Sequence, residues 1–236
     1  MPDTPAAAAP QIVITGAAGA LGRAVTQHFL DQGARVALLD RDAAHLHHAF
    51  PGLENSPHLL LPADVSSAGS VAEAAAQILR TFGTVDVVVH IAGGFEMGEP
   101  VHALDRAAWD RMMDLNAWSF VAVTQAFAPA MIERGAGAFV AVSAKSASRG
   151  VAHMAAYCAS KSALQRLVES AAAELAPHGI RVNSIAPSVL DTPANRQAMP
   201  DANPAEWVST TVAAQTIAFL AGGGAQALHG QHLVLD

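Results

Sequence analysis

Tyr157 is the only tyrosine of this 236-residue chain, and Lys161 is one of its two lysines, the other being Lys145. The two stand four residues apart in a stretch rich in helix formers, Met154 to Leu164. Residues at i and i+4 share a helix face, so the phenol and the ammonium point the same way. A phenol alone is a poor acid near neutrality, with a pKa of about 10. A fixed positive charge nearby favours the phenolate and lowers that value. The pair reads as a proton donor and acceptor for an enzyme. An ordinary helix with a half-exposed tyrosine and a surface lysine is the competing reading, and residues upstream decide between them.

Upstream, the apolar run Gln11–Thr15 leads into Thr15-Gly16-Ala17-Ala18-Gly19-Ala20-Leu21-Gly22, which opens a helical pattern. Glycines between a strand and a helix permit a tight turn, let the backbone approach a pyrophosphate, and let helix and strand pack closely. The helix N-terminus behind them favours the anion. Gly16, Ala18, Gly19, Leu21 and Gly22 are therefore candidate contacts to a dinucleotide. Asp40 ends the next apolar run, where its carboxylate can accept both hydroxyls of a ribose and repel a 2′-phosphate. That favours NAD(H), while Arg41, next in line, keeps NADP(H) open. Asp64-Val65 follows a third run and belongs near the adenine; Asp64 also reads as the N-cap of a helix beginning at Ser66. Ala92-Gly93-Gly94 follows a fourth run and lets the backbone close on the same ligand.

Apolar runs that alternate with helical patterns must position these residues. Strands are expected at Gln11–Thr15, Ala34–Leu39, Leu59–Leu61, Val85–Ile91, Ala138–Val142, Ile180–Ile185 and His232–Leu235. Helices are expected at Ala20–Gln32, Val71–Phe82, Ala107–Arg134 with a bend near Pro129, the Tyr157 segment as far as His178-Gly179, and Pro204–Leu220. Strands without polar alternation are buried on both faces. The expected fold is thus α/β: a single Rossmann-type domain over 11–236, a doubly wound parallel sheet of about seven strands with helices on both faces. Residues 1–10 read as a short disordered lead-in, and the proline-rich stretch 187–204 as a substrate-covering loop.

The formal net charge is −7 with no basic run, which argues against nucleic acid and anionic membrane as partners. No stretch reads as a signal peptide or a membrane span. The single Cys158 cannot form an internal disulfide, in keeping with a reducing, cytoplasmic setting. The 11 histidines are scattered. His45, His47 and His48 read as a solvated helix end, and no metal site is expected. The expected partner is a small-molecule substrate.

The Thr15-to-Gly22 turn, Asp64, Ala92-Gly93, Asn116, Tyr157 with Lys161, Asn183, and Pro187 with Thr192 resemble, in order and spacing, the short-chain dehydrogenase/reductase family. The resemblance covers nearly the whole chain after Pro10. It implies that Tyr157 is the general acid/base and that Lys161 lowers its pKa and binds the nicotinamide ribose. It implies that Asn116 holds a water in a proton relay to Lys161, that Thr192 contacts the nicotinamide carboxamide, and that Pro187 is a further cofactor contact. A homodimer or homotetramer is implied as well. Two positions depart from the family. It usually has Asn-Asn-Ala-Gly where this chain has His90-Ile91-Ala92-Gly93, and His90 reads as a structural residue at a strand end. The family's serine, which hydrogen-bonds the reacting carbonyl, falls at Ala144. Ser143 would point to the opposite strand face, and Ser146 stands in the following loop. Losing such a donor typically costs about 10²–10³ in rate.

Ala144-Lys145-Ser146-Ala147, Ala92-Gly93-Gly94-Phe95, and Leu190 to Ala202 followed by Trp207 are similar to quinonoid dihydropteridine reductases, a branch of the family that lacks the serine but keeps the tyrosine and lysine. A quinonoid ring accepts hydride without a single carbonyl oxygen to cage. The expected reaction is NAD(H)-dependent hydride transfer to or from a small carbonyl/alcohol or quinonoid (pterin- or quinone-like) substrate. Ala144, Phe95, His153, Val189 and Asn195 are the residues expected to face it. A catalytically weak NAD(H)-binding sensor or scaffold of the same fold is the alternative, motivated by Ala144 and His90-Ile91.

Overall fold

The computed structural model describes residues 9–54 and 56–236; the expected lead-in falls almost wholly outside them. The strands are β1 (Gln11–Thr15), β2 (Arg35–Asp40), β3 (Leu59–Pro62), β4 (Val87–His90), β5 (Gly137–Val142), β6 (Ile180–Pro187), β7 (Leu190–Asp191), β8 (Val208–Ser209) and β9 (His232–Leu235). One parallel sheet runs in the order β3-β2-β1-β4-β5-β6-β9, and β7 pairs with β8 apart from it. Valine and isoleucine dominate β1 and β4, and such β-branched side chains suit a strand covered on both faces.

The helices are α1 (Ala20–Asp31), α2 (Ala43–Ala49), α3 (Ala68–Phe82), α4 (Arg106–Met113), α5 (Ser119–Arg134), α6 (Ala155–Leu175), α7 (Pro193–Ala198) and α8 (Thr210–Ala221). One face of the sheet packs against α3, α5 and α6, around fully buried Phe120, Phe127 and Phe139. The other packs against α1, α2 and α8, around Val25, Leu46 and Ile217. Each such side chain contributes roughly 1.5–3 kcal/mol by leaving water. The double cover explains why the strand sequences are continuously apolar. The strand order reverses between β1 and β4, which places a crevice at their carboxyl ends.

Several elements differ from expectation. The single helix expected over Ala107–Arg134 is α4, a π-helical turn at Asp114–Trp118, and α5. In that turn the Ser119 N–H bonds to Asp114 O, one residue further back than in an α-helix. The irregularity falls there, while α5 runs on through Pro129. The expected loop 187–204 contains β7 and α7, and the expected helix Pro204–Leu220 is divided into a 3₁₀ turn at Pro204–Glu206, β8 and α8. Ser209 starts α8 by accepting the Val212 N–H. Helix α2 was expected only as a solvated helix end at His45, His47 and His48, which lie exposed on it; Asp42 caps it and fully buried Leu46 anchors it. The continuous helical run Arg106–Arg134 is long and apolar enough to cross a membrane by length and composition, with half of its most apolar window buried inside this fold.

Candidate active site

The crevice at β1 and β4 has a volume of about 820 Å³, ample for a dinucleotide. Gly16, Ala18, Gly19, Leu21, Gly22, Asp40, Arg41, Asp64, Val65, Ala92, Gly93 and Thr192, the residues read from the sequence as cofactor contacts, all line it. Two glycines are required by close approach. A Cβ at Gly22 would stand 2.2 Å from Gly16 O, and one at Gly16 would stand 2.8 Å from Ala92 N. Gly16 also has a φ of 66°, which side chains rarely adopt. Helix α1 opens at Gly19 with no side chain capping it, so its first N–H groups face the crevice free for an anion. Asp40 Oδ2 accepts the Ala18 N–H at 3.1 Å, holding a carboxylate on the crevice wall at the end of β2. The turn, the bare helix end and the carboxylate together fit a nicotinamide dinucleotide.

Asp64 is a correction. Its Oδ1 accepts from Ser66 N at 3.0 Å and Ser66 Oγ at 2.6 Å, which pulls its pKa down, but it caps no helix. Ser67 is the N-cap of α3, accepting from Ser70 N. Sequence reasoning missed Arg23, His45, Ser66, Arg111 and Asp114 on the crevice wall. Pro187 is buried at the end of β6, and neither it nor Gly94 lines the crevice.

Tyr157 and Lys161 lie one turn apart on α6, near its start. Lys161 is buried, and its Nζ donates to Val142 O at 2.9 Å. An ammonium has three donors, so two remain. Burial depresses the Lys161 pKa to about 8. Tyr157 runs against expectation: its pKa is pushed up to about 12, first by burial and then by Cys158. Phe95 packs edge-on to the phenol, and desolvation of the phenolate is the larger cause of the shift.

Asn116 sits in the π turn and is buried. Its Nδ2 donates to Gly94 O at 3.0 Å and Ser160 Oγ at 3.1 Å, and its Oδ1 accepts Gly94 N–H at 2.9 Å. One lone pair on Oδ1 remains. A Cβ at Gly93 would stand 2.8 Å from Asn116 Oδ1 and 3.1 Å from Lys161 Nζ, so only glycine leaves the gap between them open.

Ala144 is buried beside the start of a 3₁₀ turn at Lys145–Ser148. Ser143 turns the other way: its hydroxyl is buried and donates to Lys161 O at 3.3 Å. Ser146 lines neither the crevice nor the small hollow beside it. That hollow is lined by His153 with Glu96, Glu99, Met112 and Met154. His153 has a φ of 63°, and Gly98 N–H donates to its carbonyl at 2.8 Å while its Nδ1 donates to Gly98 O at 3.1 Å. Val189 and Asn195 line neither cavity. Asn195 is occupied locally, its Nδ2 donating to Leu190 O and its N–H to Thr192 Oγ1, because it sits in the first turn of α7. Among the described residues no group of three His, Cys, Asp or Glu could hold a metal ion.

Comparison with known proteins gives the family. The short chain dehydrogenase family profile matches residues 10–203. A D-threitol dehydrogenase of Mycolicibacterium smegmatis is 31% identical, the match covering 95% of this chain and 90% of that one. A cis-4-hydroxycyclohexanecarboxylate dehydrogenase of Sinomonas cyclohexanicum is 32% identical over 95% and 94% of the two chains. A crystal structure of NAD+-bound xylitol dehydrogenase superposes with a TM-score of 0.87 at 25% identity, covering 96% of this chain and 97% of that one. The chain belongs to the short-chain dehydrogenase/reductase family, and it is an oxidoreductase with that family's nicotinamide-dinucleotide fold.

Proposed function

We propose that this protein transfers hydride between NAD(H) and a small carbonyl/alcohol pair, with Tyr157 as proton donor and acceptor. The observation that carries the reading is Tyr157 and Lys161 one turn apart on α6, with Lys161 Nζ and Asn116 Oδ1 both flanking the gap at Gly93. The bound nicotinamide supplies or takes the hydride. Tyr157 O–H gives its proton to the oxygen formed on reduction, and a phenol held at about 12 stays protonated at neutral pH. Lys161, fixed on Val142 O, keeps two donors for the cofactor ribose and for returning a proton. The free lone pair of Asn116 Oδ1 holds a bridging water. Asp40 at the ribose end favours NAD(H) over NADP(H). The names of the sugar-alcohol and hydroxycyclohexane relatives support an alcohol/ketone substrate.

Ala144 favours a second reading, a quinonoid acceptor of pterin or quinone type. Ala144 offers no second hydroxyl beside that of Tyr157 to grip a reacting carbonyl oxygen, and the 60% exposed Phe95 offers an aromatic surface beside Tyr157. Under either reading we infer a homodimer or homotetramer. The experiment is NADH oxidation with matched NADPH controls against cyclic ketones, diketones, quinones and a freshly generated quinonoid dihydropterin, with Tyr157→Phe alongside. Turnover that vanishes in Tyr157→Phe while NADH still binds is expected. Full turnover in that variant would sink the mechanism.

A further inference from the structure

His90 ends β4 and is fully buried, where the chain departs from the family's Asn-Asn-Ala-Gly. Its Nδ1 lies 3.0 Å from Thr15 Oγ1, and its Nε2 lies 3.0 Å from Ser119 Oγ. The ends of this chain of bonds set the direction of every link. Ser119 Oγ donates its one proton to Leu115 O at 2.7 Å, so towards His90 it can only accept. Nε2 therefore carries the imidazole proton. Nδ1 is then bare and must accept from Thr15 Oγ1, which itself accepts the Ala92 N–H at 3.2 Å. Burial first, and Lys161 second, hold the His90 pKa down to about 3, which keeps the ring neutral with a single tautomer.

Both ends of this relay are functional backbone. At one end, Ala92 lines the crevice, and Gly93 leaves the gap beside Lys161. At the other, Leu115 O belongs to the π turn that bears Asn116. In that turn the Ser119 N–H is diverted to Asp114 O, and the Ser119 hydroxyl takes over the carbonyl it leaves behind. Two segments far apart in sequence are thus tied through one buried ring.

We propose that His90 is a positioning residue: through Thr15 and Ser119 its neutral imidazole holds the Ala92–Gly94 backbone and the π turn of Asn116 in a single register. Its importance for turnover rests on the catalytic reading of Asn116, Tyr157 and Lys161 above. The test uses His90→Phe, which keeps a ring but cuts both links, and Ser119→Ala, a small change that cuts only the far link and preserves folding if His90→Phe does not. Amide hydrogen exchange of segments 91–95 and 114–119 and the NADH dissociation constant are measured in each. Either variant is expected to speed exchange in both segments and to weaken NADH binding about tenfold. Faster exchange in only one of the two segments, or in neither, with NADH binding within about twofold of wild type, would overturn the proposal and leave His90 as packing. These readouts need no acceptor, so they stand apart from the Tyr157→Phe test of the reaction itself.

Discussion

The ring of Phe95 stands edge-on to that of Tyr157, with centroids 5.0 Å apart and planes at 82°. Phe95 packs on one side of the phenol, and burial raises the phenol's pKa to about 12. Because Tyr157 is the only tyrosine, the ultraviolet absorbance of phenolate reports this residue alone. An alkaline titration of the wild type should show a midpoint well above the ordinary value of about 10. Phe95→Ala should move it back towards that value by re-solvating the phenolate. An unchanged midpoint would show that Phe95 is not the shield.

Lys161 gives the opposite pH signature. Burial lowers its pKa to about 8, so the folded state gives up this proton before the unfolded chain does. Between about pH 8 and 10.5 the unfolded chain binds more protons, and stability rises with pH across that window. Tyr157 works the other way only from about pH 10 upwards, because its folded pKa is raised. Urea unfolding of wild type and Lys161→Met at pH 7 and pH 9.5 isolates the effect. Wild-type stability relative to the variant should increase by about 2 kcal/mol between the two. A constant difference would mean that the ammonium is not desolvated.

What could be read in the sequence divides by how local its physical cause is. The Gly16-to-Gly22 turn and the Tyr157/Lys161 spacing follow from backbone rules that act within a few residues, and both stand as expected. The π turn did not show, because one extra residue in a long apolar helix leaves the pattern on either side intact. Nor did β7, a two-residue strand held by pairing with β8 some eighteen residues further on. The direction of the Tyr157 shift was misjudged for a related reason. Lys161 is its helical neighbour, but the desolvating Phe95 comes from a loop that only the fold brings near. Asn195 reads as a polar group near the substrate, yet its side chain turns back to donate to Leu190 O five residues earlier.

Ala144→Ser separates the two substrate readings. The position is buried with extended backbone, φ −154° and ψ 150°, which a serine adopts without strain. If the protein works on simple ketones, a restored hydroxyl adds a donor to the oxygen being reduced. The rate on such ketones should then rise about tenfold or more, and steady-state kinetics would read it directly. If it works on a quinonoid ring, the hydroxyl has no oxygen to grip and its burial gains nothing. The rate on a dihydropterin or quinone should then stay within about twofold. A gain on both classes alike would argue that the serine acts on Tyr157 rather than on substrate.

Asp40 should set the cofactor preference almost alone. Its Oδ2 is tethered by the Ala18 N–H, which fixes a negative charge where the adenosine ribose would lie. A 2′-phosphate placed there would meet like charge, while Arg41 and Arg23 on the same crevice wall offer it positive charge. Asp40→Ser keeps a group small enough to accept from Ala18 and removes only the charge. The ratio of kcat/KM for NADH to that for NADPH should fall about 10²-fold, chiefly through a lower KM for NADPH, as the two arginines can then bind phosphate with no carboxylate beside it. Should the ratio fall instead because NADH binding collapses, Asp40 would be a ribose ligand first and a discriminator only by consequence. An unchanged ratio would place the preference elsewhere, with His45 and Ser66 on the same wall the next residues to replace.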